Sequence, residues 1–241
     1  MSDHESSEWV EFDVGPLPPR PSALAAQAQR QRIKGPLVMV ESAFFASTSA
    51  LIGLISVYFP AAPVLSMLRT FFPIPIALAY LRWGRRAAWM TTVVTALLLA
   101  VLMGPPRSLQ LFIPYGLLGV VLGGLWRAQA GWGVSMGWSV LVTTAGLFFQ
   151  IGLLSLLLGT NVWLYVNRQI TSLLEWIFVK LGLLIEPSFW VVQIFAVGMV
   201  CLNAILYLLL VHLVSWTLLE RVGNPIPAPP RWLQVLLDYD E

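Results

Sequence analysis

The chain has 241 residues, of which 58% are hydrophobic and 11% charged, and its formal net charge is +2. So little polar surface excludes a soluble domain of this length, and so small a charge gives no reason to expect a nucleic-acid partner. A single cysteine, Cys201, excludes a disulfide framework or a thiolate metal site within one chain.

Residues 1–36 differ in kind from the rest. Met1 to Asp13 carries five acidic residues, residues 15–21 read Gly-Pro-Leu-Pro-Pro-Arg-Pro, and an Ala/Gln/Arg stretch follows, ending in Arg30, Arg32 and Lys34. The prolines oppose regular helix and favour extended geometry, so the stretch is expected to be a disordered cytoplasmic tail, with helix allowed from Ser22 onward. It lacks the basic and apolar regions of a cleaved secretory signal.

Five runs beyond it contain no Asp, Glu, Lys or Arg: Ser42 to Leu68, Ala87 to Pro106, Ser108 to Trp126, Ala128 to Asn167 and Pro187 to Leu219. A hydrocarbon core about 30 Å thick takes roughly 20 helical residues to cross, so each can span a bilayer. Runs such as Ala96 to Met103 are apolar all round, which argues for helices and against a barrel of alternating strands.

Five crossings would put the two termini on opposite sides and spoil the charge asymmetry. A sixth, Val64 to Leu81, restores it. One face then receives Arg20, Arg30, Arg32, Lys34, Arg82, Arg85, Arg86, Arg127, Arg221 and Arg231, while the other receives Arg69, Arg107, Arg168 and Lys180. The bias predicts cytoplasmic termini in an inner membrane, plasma or thylakoid. The added segment is irregular: Arg69 lies about one turn from its start, and Pro73 and Pro75 should kink or break it.

The expected architecture is therefore an all-α, six-helix polytopic membrane domain over residues 37–220, with a cytoplasmic C-terminal tail over 221–241. The first crossing is Leu37 to Phe59, the third Ala87 to Met103 and the fourth Leu109 to Trp126. The fifth lies within Trp132 to Leu158 and the sixth within Phe189 to Leu219. Between the last two, Ile170, Leu173, Leu174, Ile177, Phe178 and Leu181 recur at helical spacing opposite Arg168, Ser172 and Glu175, which predicts an amphipathic helix that either lies in the outer interface or caps a pocket. Trp83, Trp89, Trp126, Trp132, Trp163, Trp176, Trp190 and Trp216 fall near predicted ends as belt anchors.

Small residues spaced by four mark close helix contacts. Ser42, Ala46 and Ala50, with Ser49 and Gly53, give the first crossing a flat face, either internal or for an external partner. Gly116, Gly119, Gly123 and Gly124 in the fourth, and Gly133 and Gly137 in the fifth, are assigned to internal packing.

Polar groups within the bilayer are few, and they are the candidate site residues. Glu41 is expected to form an ion pair with Arg82, Arg85 or Arg86. Arg69, Pro73, Pro75, Gln150, Asn203 and Tyr207 mark a possible ligand or irregular-helix site. Thr91, Thr92 and Thr95 form a hydroxyl stripe, and His212 is expected to be hydrogen-bonded to a neighbour. No paired acidic motif, metal-ligand cluster, nucleophile elbow or phosphate loop appears, so no catalytic residue, metal or cofactor is expected and an enzyme is not.

The run Phe72-Pro73-Ile74-Pro75-Ile76-Ala77-Leu78-Ala79, the following Arg82-Trp83-Gly84-Arg85-Arg86, and the glycine-rich Gly116 to Gly124 ending in Trp126-Arg127 resemble the DUF2232 family of bacterial and cyanobacterial membrane proteins, over roughly Leu37 to Glu220. That family is similar in layout to the S components of energy-coupling factor transporters. In those proteins an Ala-x-x-x-Ala pattern on the first helix docks a transmembrane coupling subunit. The resemblance therefore implies docking through Ser42, Ala46 and Ala50 and transport of a vitamin-type small solute. The alternative is a non-catalytic scaffold or assembly factor for a membrane complex.

Overall fold

The computed structural model describes residues 23–59, 67–182, 188–221 and 223, with side chains from residue 35 onward. The chain divides into two compact units, Met1–Leu37 and Val38–Glu241. Residues 1–22 of the expected N-terminal tail, and all of the C-terminal tail except Arg221 and Gly223, lie outside the described residues. The helices are α1 (Ala23–Tyr58), α2 (Pro73–Trp83), α3 (Arg85–Met103), α4 (Pro105–Arg127), α5 (Trp132–Leu158), α6 (Val162–Lys180) and α7 (Phe189–Arg221), with a 3-10 turn at Leu68–Phe71 before α2.

Five of them are long and apolar enough to cross a bilayer: Gly35–Tyr58 of α1, then α3, α4, α5 and α7. Of the irregular segment, residues 64–66 lie outside the described residues and the rest becomes the 3-10 turn and α2. Eleven residues give α2 a length of only about 16 Å. Pro73 and Pro75 do not kink it; they begin it, sitting in the first turn where a backbone N–H has no intrahelical acceptor.

Short as it is, α2 is the centre of the bundle. Pro73, Ile74, Pro75, Ile76, Ala77 and Ala79 are all buried, chiefly against α4 and then α3. The helix faces protein on most sides, so it needs neither the length nor the unbroken apolarity of a lipid-facing span. Gly84 alone connects α2 to α3 and Gly104 alone connects α3 to α4, with φ of +89° and +87°. A one-residue reversal of this kind requires the left-handed region, which glycine enters without steric cost.

Two glycines let α4 lie directly on α2. A Cβ at Gly119 would come within 2.8 Å of the Pro73 carbonyl oxygen and of Ile76 Cβ, and one at Gly123 would collide with Tyr80 Cβ. The fourth-crossing glycines therefore pack internally, as expected. Those of the fifth do not: Gly133 and Gly137 are exposed with open space beside them. The packed face of α5 is instead Ser135, Ser139, Thr143 and Gly146, where Gly146 admits Pro114 of α4.

Pro114 also deforms α4, whose residues Phe112–Gly116 form a π-helical turn. A proline at this position has no N–H to give the carbonyl of Gln110, four residues earlier. Gln150 Nε2 on α5 donates to that carbonyl instead.

The core is built around Phe72, Ile76, Leu99, Leu111 and Tyr115, and continues through Leu118, Leu122, Trp126, Leu208 and Val211. The expected amphipathic helix is α6. Its Ile170 and Leu174 pack on Val192 and Ala196 of α7, while Arg168, Ser172 and Glu175 are exposed.

Candidate functional site

Two polar constellations lie between these helices. The first sits where the end of α2 meets the first crossing. Glu41 Oε1 is 3.1 Å from Arg82 Nη2, and Trp83 Nε1 donates to Glu41 Oε2 at 2.7 Å. Of the three arginines expected as partners Arg82 takes the role, while Arg85 and Arg86 on α3 are exposed. Arg127 closes the same end by donating from Nη1 to the Tyr80 carbonyl at 3.2 Å.

Half-exposed ion pairs contribute little, whereas a hydrogen bond to a charged acceptor is worth more. Glu41→Ala removes both and is expected to cost about 1–3 kcal/mol, while Glu41→Gln keeps an acceptor for Trp83 and should cost under about 1 kcal/mol. Thermal denaturation in mild detergent, followed by tryptophan fluorescence, measures the difference.

The second constellation surrounds Arg69, the second residue of the 3-10 turn. Its guanidinium carbon lies 4.5 Å from the centre of the Tyr115 ring, which in turn meets Tyr207 edge-on at 5.7 Å and Phe72 at 6.3 Å. Arg69 Nε and the Tyr207 hydroxyl oxygen are buried without a hydrogen-bond partner among the described residues. The π-helical turn of α4 carries Tyr115, so the deformation introduced by Pro114 brings this ring to the arginine. A cation held against an aromatic face gains up to about 2 kcal/mol when desolvated. The guanidinium also hydrogen-bonds the Tyr115 side chain, and its planar fork of donors is the part suited to a carboxylate or phosphate.

Of the residues singled out in the sequence, Arg69 and Tyr207 come together, with Pro73 and Pro75 just beyond in the start of α2. Gln150 does not join them, because the Gln110 carbonyl occupies it, and Asn203 lies on the exposed face of α7. Tyr115, which links the pair, was not legible as a site residue. The available signal was Pro114 beside it, an interruption in an otherwise helical run.

The first-helix docking face requires correction. Ser42, Ala46 and Ala50 are 5%, 0% and 3% exposed, covered by this chain itself. Thr95 Oγ1 on α3 donates to the Ala46 carbonyl at 3.3 Å, Ser49 Oγ donates to the Phe72 carbonyl at 3.3 Å, and Phe72 fills the space beside Gly53. Small residues admit the chain's own hydroxyls and aromatic ring, so Ser42, Ala46 and Ala50 face the chain's own interior.

His212 is held as expected: Nδ1 donates to the Leu208 carbonyl at 2.9 Å and Nε2 lies 2.8 Å from Ser135 Oγ. Trp126, read as a belt anchor, is instead buried against this imidazole at 5.7 Å, and Trp132 stands 5.3 Å from it.

Long apolar helices, a central short helix satisfied by protein contacts and a few buried polar groups define an all-α polytopic membrane protein, whose surroundings are a lipid bilayer. The model of one family, described as predicted membrane protein (DUF2232), matches residues 47–236, and the chain belongs to that family. No curated protein and no solved structure matches it.

Proposed function

We propose that the chain is a non-catalytic, solute-binding membrane subunit that recognises an anionic small molecule through Arg69, Tyr115 and Tyr207. The observation that carries this reading is the arginine held within the bundle with a buried Nε that has no partner among the described residues, beside a tyrosine hydroxyl of which the same is true. Desolvated donors of this kind are costly unless a partner arrives, and ionisable groups at membrane depth mark solute pathways by default. From the resemblance to S components read in the sequence, we take a vitamin-type solute and a separate coupling module, with the basic helix ends on the cytoplasmic side of an inner membrane. Because the Ala46 face is internal, such a module would meet another surface.

A scaffold role is the second reading. It is favoured by the filled interior, in which Phe72, Ile76, Leu118 and Trp126 are almost wholly buried.

Affinity purification in mild detergent, followed by mass spectrometry of both small molecules and proteins, separates the two. The expected result is an anionic solute retained by the wild type and reduced at least tenfold in Arg69→Gln, with Tyr207→Phe intermediate. Equal retention by Arg69→Gln sinks the assignment of the site. A stable multiprotein assembly with no bound solute supports the scaffold.

A further inference from the structure

On the exposed face of α3 lies a groove of about 640 Å³ lined by Arg85, Arg86, Trp89, Met90, Val93 and Val94, none of them part of the Arg69 cluster. All six side chains are exposed. From Arg86 the positions 89, 90, 93 and 94 repeat at helical spacing, so two guanidiniums at the start of the helix are followed on one face by an apolar wall about 10 Å long. Trp89 stands at the junction between the two parts.

The neighbouring cations are already used. Arg82 is paired with Glu41, and Arg127 is turned onto the Tyr80 carbonyl. Arg85 and Arg86 have no ion-pair partner among the described residues, and Glu41 is engaged by Arg82 and Trp83. Two uncompensated positive charges at the end of a bilayer-spanning helix attract anionic headgroups, each worth about 1 kcal/mol near a charged membrane surface. The apolar wall running from them toward the bilayer interior matches an acyl chain.

We infer that this groove is a binding site for an anionic phospholipid, its headgroup phosphate on Arg85 and Arg86 and one acyl chain along Trp89, Met90, Val93 and Val94. The charge arrangement selects among lipids; the apolar wall alone would accept any of them. The site is separate from the Arg69 cluster and stands or falls without it.

The test uses the full chain in mild detergent, titrated with phosphatidylglycerol or phosphatidylcholine and observed by native mass spectrometry. Wild type is expected to bind phosphatidylglycerol at least tenfold more tightly than phosphatidylcholine. Arg85→Gln/Arg86→Gln should remove that preference, and Arg85→Lys/Arg86→Lys should retain most of it, which guards against a glutamine variant that fails to fold. Phosphatidylglycerol with brominated acyl chains should quench wild-type tryptophan fluorescence more than that of Trp89→Phe. Equal binding of the two lipids by the wild type overturns the proposal, as does an unchanged preference in the glutamine variant. A groove closed by a second copy, seen as a dimer that Arg85→Gln/Arg86→Gln dissociates, also overturns it.

Discussion

Gly119→Ala and Gly123→Ala are each expected to destabilise the protein by about 1–3 kcal/mol, while Gly137→Ala and Gly152→Ala, chemically the same change, should leave it unchanged or stabilise it by about 0.5–1 kcal/mol. The methyl at 119 meets the Pro73 carbonyl oxygen and Ile76 Cβ at 2.8 Å, and the one at 123 meets Tyr80 Cβ and the Ala77 carbonyl. These are backbone or backbone-proximal atoms of α2, which cannot swing aside as the end of a long side chain can. Relief requires α4 to move away from α2, and the shared packing of Phe72, Ile76 and Tyr115 loosens with it. At 137 and 152 a methyl enters open space, so only the backbone entropy of glycine in a helix is removed. Melting temperatures of the four variants in one detergent, together with the monodisperse fraction on size exclusion, decide the matter. Equal behaviour of the 119 and 137 variants would show that α2 and α4 are not in contact through these glycines.

The same contrast shows what a sequence of this kind carries. Charge-free runs and their lengths identify the lipid-facing helices, because a segment whose solvent is hydrocarbon must be apolar over about 20 residues. That signal fails for α2, whose environment is other helices and whose prolines and nearby arginine are tolerated for that reason. The distribution of basic residues requires the segment as a crossing, but its role as the centre of the bundle depends on contacts that composition does not encode. Spacing by four likewise marks faces able to pack without saying which do: Gly119 and Gly123 are packed, and Gly133 and Gly137 are not.

The candidate site was half legible. Arg69 stands out as a charge beside an apolar stretch, and Tyr207 as a polar group within the last one. Tyr115 is one aromatic among many, and its position follows from the π-helical turn that Pro114 induces. Polarity within an apolar run groups Gln150 with Arg69, yet the same proline explains its use. A carbonyl deprived of its donor inside a membrane needs a replacement, and the search for one leads from Pro114 to Gln110 and then to Gln150.

Ala46→Leu and Ala50→Leu carry the second large expected effect, and its direction is set by burial. Were this face free to bind a coupling subunit, a larger side chain would weaken partner binding and spare the isolated protein. Ala46 is instead wholly inaccessible, its carbonyl accepting from Thr95, and Ala50 shares a cluster with Phe72, Leu99 and Leu111. Three added carbons at either position must displace α3 or Phe72, at a cost of about 1–3 kcal/mol for each substitution. Ala43, exposed on the same helix, provides the control, and Ala43→Leu should leave stability unchanged. Thermal denaturation of the purified chain alone is the appropriate measurement, since the effect requires no partner. Wild-type stability in both the Ala46 and Ala50 variants would mean that the first helix does not rest on α3, and the face would again be available to another protein. Loss of stability confined to those two positions, with Ala43→Leu unaffected, establishes that the small residues exist to bring the chain's own helices together.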